Sequence, residues 1–91
     1  MAVRRINEPV PAQVILGANG RPEQVQWQPH SARQGALRED HVEHVVDIWY
    51  VDDAWWTDTP VRRMYHELQM AGGARLIAVY DLVAERWFVQ R

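Results

Sequence analysis

The sequence predicts a mostly β protein: one small domain in which an antiparallel meander of about five strands forms a curled sheet or a partly open barrel, with at most one short helix. Three observations carry that expectation. Short runs rich in β-branched and aromatic residues recur along the chain. Turn-forming clusters such as GANGRP and AGGA separate them. The longest run, VEHVVDIWYVDDAWW at residues 42–56, crowds β-branched and aromatic residues together as a central strand would and ends in a tryptophan pair. Short strands with turns between them favour a sheet that rolls up to protect its edges.

The bulk numbers narrow the rest. A chain of 91 residues makes one domain, and one this small buries only about 60–65% of its unfolded surface. Five tryptophans, three tyrosines and one phenylalanine are therefore expected to supply much of the core. No cysteine is present, which excludes a disulfide framework and a thiolate metal site. Ten basic against twelve acidic side chains give a formal charge of −2, which argues against holding duplex DNA by charge alone. The beginning MAVRRINEPV lacks the apolar run of a signal peptide, and no stretch has the roughly 20 apolar residues of a membrane-spanning helix, so a soluble cytoplasmic protein with no membrane partner is expected.

Taken in order, residues 1–12 read as a partly ordered N-terminal arm, because Pro9 and Pro11 lack the amide donors of a regular central strand. Residues 13–91 read as the β domain. Gln13 to Leu16 and Val25 to Gln28 flank Asn19-Gly20, a pair that tolerates positive φ and so predicts the first hairpin. His30 to Asp40 is polar and without alternation, which predicts a long exposed loop, although ALRED at 36–40 has the composition of a single helical turn. From Val42 on, the even residues Val42, His44, Val46, Ile48 and Tyr50 share one strand face, expected to be the buried one. Asp52 to Pro60 is a loop carrying Trp55 and Trp56. Adjacent residues of extended backbone point opposite ways, so one indole, Trp56 beside Pro60, is expected to pack on the sheet and Trp55 to stay exposed.

Residues 61–70 support two readings. Thr59 and Pro60 would start a helix with Val61, Met64, Tyr65 and Leu68 on one face; as a strand, Met64, His66, Leu68 and Met70 would share a face ending at the AGGA turn. Arg75 to Tyr80 and Arg86 to Gln90 are short and apolar, and DLVAE between them has hairpin length.

The C-terminal half resembles the carboxyl-terminal segment of ImuB-type Y-family DNA polymerases, and of related small stand-alone bacterial proteins of unknown function. The likeness is carried by Trp49, Trp55-Trp56, Pro60, Arg63, Tyr65, Gly72-Gly73, the step Val79-Tyr80-Asp81-Leu82, and Trp87-Phe88. It covers residues 42–91, with a looser echo in RPEQVQW at 21–27. The chain departs from it at Ala84-Glu85, where relatives place a glycine in the last turn, and in ALREDH at 36–41. The resemblance implies a strand at Arg62 to Met70 and a neighbourhood in translesion DNA synthesis. It implies no polymerase activity, since the catalytic carboxylates of that family lie outside the shared segment.

No residue set predicts catalysis, a metal or a cofactor. His41 and His44 are three apart, which puts them on opposite faces of a strand with no carboxylate at ligand spacing. Asp52, Asp53 and Asp58 lack the glycine and closing glutamate of a calcium loop. Ser31, Thr57 and Thr59 sit in no nucleophile elbow, and GANG and AGG precede strands rather than helix N-termini. His66, on an apolar face, is expected to be a buried, hydrogen-bonded neutral imidazole.

The aromatic residues are the remaining candidates. Consecutive hairpins would bring Trp49, Tyr65, Tyr80 and Trp87 to one sheet face, with Arg63 opposite Trp49 and Trp55 in the neighbouring loop. That face is either a binding platform or a core covered by Val14, Leu16, Val25 and Trp27 of the first hairpin. The expectation for function is a non-enzymatic module that binds another protein of DNA repair or replication. The alternative is single-stranded nucleic-acid binding through the aromatic face with Arg62, Arg63, Arg75 and Arg86.

Overall fold

The computed structural model of the protein describes residues 9–28 and 37–90. Six strands run in chain order: β1 (Val10–Leu16), β2 (Pro22–Trp27), β3 (Arg38–Asp53), β4 (Val61–Met70), β5 (Arg75–Asp81) and β6 (Arg86–Gln90). Each pairs antiparallel with the next, and β6 pairs back onto β1, so the meander closes into a barrel. Residues 61–70 are strand, and no helix occurs among the described residues. None is therefore long and apolar enough to cross a membrane.

Closure draws in part of the expected arm. Val10, Pro11 and Ala12 pair with Val89, Phe88 and Trp87, and Val10 is buried. Proline is admitted because this is the first, short stretch of a strand, where one ladder bond can be forgone. Residues 1–8 of the expected arm lie outside the described residues. So does most of the expected loop at 30–40, but its last three residues, Arg38 to Asp40, belong to β3.

The turns follow their residue chemistry. In the first hairpin Gly20 takes φ +78°, and the side chain of Asn19 accepts a bond from the Arg21 amide at 3.0 Å. Between β4 and β5, Gly73 takes φ +99°, while the Gly72 amide donates to the Asp40 carboxylate at 2.8 Å. A Cβ on Gly72 would stand 2.7 Å from that same oxygen, so a side chain there would push the Asp40 carboxylate aside. Between β5 and β6 the Asp81 carboxylate accepts from the amides of Val83 and Ala84, at 2.9 and 3.0 Å. Glu85 then adopts φ +56°, a left-handed conformation that costs a non-glycine residue energy.

The core lies inside the closed half. Val25, Trp27, Leu68, Met70, Leu76, Ala78 and Val89 form one buried cluster, with Ala12, Val14, Val42, Val45 and Trp87 packed against it. β4 buries His66, Leu68 and Met70 by strict alternation, the last two within this cluster.

β3 does not alternate throughout, and this decides the exposed surface. It pairs with β2 only from Arg38 to His41, then with β4 from Val42 to Asp53, and its register slips between Val42 and His44 and again between Val45 and Asp47. Each slip is a β-bulge, which bends a strand and re-aims its side chains. Val42 and Val45 therefore both reach the core, although one is even and the other odd. The expectation of a buried even face is corrected: Val46, Ile48 and Tyr50 are exposed. Barrel stagger contributes to the same result. The cross-strand row that leaves β3 at Arg38 runs through Trp27, Ala12, Trp87, Tyr80 and Met64 and returns to β3 at Tyr50, far beyond the reach of β2.

Candidate interaction surfaces

The structure divides the expected aromatic ladder between two faces. Continued without interruption from Val42 opposite Met70, the register would set Trp49 against Arg63. The two bulges slide β3 so that Trp49 meets Tyr65 and Val51 meets Arg63. On the next hairpin, the turn at residues 71–74 pairs Tyr65 with Val79 and Met64 with Tyr80. A one-residue difference in register moves a side chain to the other face of a sheet. Trp49 and Tyr65 consequently lie outside the barrel, Tyr80 and Trp87 inside.

The inner group is structural. Trp87 packs on Tyr80 with ring centroids 5.2 Å apart and on His66 at 5.1 Å. Trp27 of the first hairpin is buried in the cluster that Trp87 packs against, so the hairpin covers this face, while Leu16 at its end is exposed. The Nδ1 of His66 lies 3.2 Å from the Ala78 carbonyl oxygen, a bond that needs the proton on that nitrogen. Burial pushes the His66 pKa below its ordinary value, against the pull of the Ala78 and Met64 backbone groups.

The outer group is a row across five strands: Trp49, Tyr65, Val79, Phe88 and Pro11 are successive cross-strand partners. The Trp49 and Tyr65 rings stack 5.3 Å apart and within 8° of parallel. Val79 is fully buried on this side of the sheet, between Tyr65 and Phe88 in the row. Arg63 sits over the Phe88 ring at 5.3 Å, with its Nε 3.6 Å from an Asp81 oxygen. The Val83 and Ala84 amides, Ala84 foremost, together with Arg63, hold the Asp81 carboxyl below its ordinary range. An open cavity of about 260 Å³ lies beside the row, lined by Pro9, Pro11, Arg63, Asp81, Arg86 and Phe88 among others. Pro11, Val79 and Phe88 escape a reading of single strands. The alternation of RWFVQ puts Phe88 on the face opposite Trp87, but only barrel closure brings Pro11 beside it.

The β3–β4 loop departs from expectation most. Trp56 does not pack on the sheet; Trp55 and Trp56 are 68% and 67% exposed. They meet each other edge to face, with centroids 5.6 Å apart and planes at 89°. The loop is held by its own polar groups rather than by an indole: Asp53 accepts from the Ala54 amide at 2.7 Å, Ala54 turns to φ +53°, and the Thr57 amide and hydroxyl both donate to the Ala54 carbonyl. Adjacent indoles need not point opposite ways once the backbone leaves the extended conformation.

Along β3 carboxylates flank the exposed apolar residues, with Asp47 before Ile48, Trp49 and Tyr50 and Asp52-Asp53 after them. Asp52 is 3.9 Å from Arg62, while the β4 residue opposite Asp47 is Glu67, itself bound by Arg75 at 2.7 Å. Among the described residues, no group of three or more histidines or carboxylates is placed to hold a metal ion.

Comparison of the chain with protein-family models, with curated proteins and with solved structures found no match in any of the three. The resemblance to the polymerase segment therefore rests on the residues quoted for it.

Proposed function

We propose that this domain is a protein-binding module with no catalytic activity of its own, acting beside a DNA-repair or replication protein in translesion synthesis. The observation that carries the reading is the pair of adjacent indoles at the end of the β3–β4 hairpin, each about two-thirds exposed. Exposed tryptophan is unfavourable for an isolated protein, and tryptophan is prominent among residues that dominate protein interfaces. The DNA-damage setting comes from the resemblance alone.

The test is affinity capture from cells before and after DNA damage, with the wild-type domain and a Trp55→Ala/Trp56→Ala variant as baits. The expected result is a repair or replication protein recovered by the wild type and lost with the variant. Recovery of an unrelated complex, or equal recovery by both baits, counts against it.

A second reading is single-stranded nucleic-acid binding on the outer row, supported by the stacked Trp49–Tyr65 pair and by Arg63 and Arg86 at the adjacent cavity. Two features weigh against it: Arg63 already faces Asp81, and Asp47, Asp52 and Asp53 run along the strand that carries Trp49. Fluorescence titration with an oligothymidylate at low salt separates the two readings, since stacking would quench Trp49 and salt would reverse it.

A further inference from the structure

β2 leaves β3 at His41, and from His44 to Asp53 no other described strand lies along the edge of β3 that faces away from β4. The Ile48 amide shows where the main chain points: it donates to the carboxylate of Asp47 at 2.8 Å, not to a neighbouring strand. By the alternation of an antiparallel ladder, Tyr50 and Asp52 also turn their N–H and C=O groups off the sheet. Such an edge is a template for another strand.

Its side chains restrict the occupant. On the outward face stand Asp47 and Asp53, with Trp49 and Val51 between them; on the other stand Ile48 and Tyr50, both exposed, followed by Asp52, which already faces Arg62 at 3.9 Å. A second copy of the chain would bring the same carboxylates onto both sides of the new pair, and like charges across strands are unfavourable. A strand with cations on one face and apolar side chains on the other would meet Asp47 and Asp53 with opposite charge and extend the apolar patch of Ile48 and Tyr50.

We infer that the free edge of β3 receives an extended peptide that alternates basic and apolar residues, added antiparallel or parallel as a seventh strand. This rests on the protein-binding reading and specifies its partner: main-chain bonds supply the affinity and the carboxylates choose the sequence. Trp55 and Trp56 stand exposed in the loop that follows Asp53 at the end of β3.

The probe is a ten-residue peptide of alternating lysine and valine, compared with a lysine-to-glutamate version and with one N-methylated on alternate amides. Binding to the isotope-labelled full chain is followed by amide shifts and amide exchange. The expected result is that the basic peptide binds, shifts the Ile48, Tyr50 and Asp52 amides and slows exchange at Tyr50 and Asp52. The acidic peptide should bind at least about tenfold more weakly, as should the basic peptide to Asp47→Lys. The N-methylated peptide should not bind at the edge. Ile48→Pro should fold, because that amide makes no bond to β4, and should also abolish binding. Absence of edge shifts at millimolar peptide, or equal binding of the N-methylated peptide, overturns strand addition. If those results accompany loss of cellular partners by the Trp55→Ala/Trp56→Ala variant, the edge proposal falls while the protein-binding reading stands. If the peptide pairs at the edge yet the cellular baits behave alike, the reading of the tryptophan loop falls instead.

Discussion

The two ends of the β3–β4 hairpin are built from similar residues and meet opposite fates. At one end Val42 and Val45 face Met70 and Leu68, which are entirely buried; at the other, Ile48 and Tyr50 are exposed and Trp55 and Trp56 more so. Hydrophobicity does not separate them, since the exposed end is richer in aromatics. What separates them is the neighbour on the far side of β3: β2 closes the first end and stops before the second. Burial in this barrel is thus set by which strands extend far enough to cover a residue, and an apolar run left uncovered becomes the candidate surface.

The sharpest way to break that contrast is to truncate one residue at each end. Leu68→Ala removes a fully buried side chain at the centre of the cluster and is expected to lower unfolding free energy by about 2–5 kcal/mol, a large share of what a domain this size has. Urea denaturation measures it directly. Survival of Leu68→Ala with an unchanged midpoint would mean that the closed half is not the core.

A smaller effect belongs to pH. His66 is buried in the closed half with its pKa lowered from an ordinary 6.5, so the unfolded chain takes up its proton more readily. Its contribution to stability is fully present above 6.5 and is lost as pH falls below that value toward the folded pKa. The loss is limited to about 1.4 kcal/mol per pH unit for a single proton. Thermal melts from about pH 7 to about pH 5 should show that decline in the wild type and a flatter one in His66→Gln. Asp81 has the same sign in a lower window: its pKa is depressed from 3.8, so its contribution is present above 3.8 and lost as pH falls below it.

Glu85→Gly addresses the turn that joins β5 to β6. Relief of the left-handed strain, less the added flexibility of glycine, is expected to raise stability by about 0.5–1 kcal/mol. A melting temperature that fell would show that the Glu85 side chain supports the turn in a way its φ angle does not reveal.

The smallest effect on stability is expected where the aromatics are largest. Trp55→Ala and Trp56→Ala should each stay within about 0.5 kcal/mol of the wild type, because neither indole is packed on the sheet. Circular-dichroism melts of the two variants check it; a loss comparable to Leu68→Ala in either would place that tryptophan in the core after all.

Local chemistry made much of this protein legible. The mostly β class, the Asn19-Gly20 and Gly72-Gly73 turns and a buried neutral His66 were all readable, because turn residues and β-branched runs act over a few positions and need no distant partner. The strand at 61–70 needed the resemblance, since its local pattern also fits a helix. Closure was beyond that reach: Val10 and Pro11 have no partner in β2 and become strand only because β6 returns to meet them, from far along the chain. The same holds for the surface. Which of Trp49, Tyr65, Tyr80 and Trp87 share a face depends on the length of the β4–β5 turn, where a single residue of register sends a side chain to the other side, while the two bulges in β3 decide which β4 residue Trp49 stacks on. Composition supplied the aromatics and alternation supplied the strands; the tertiary structure alone decided which aromatics close the core and which are left facing water.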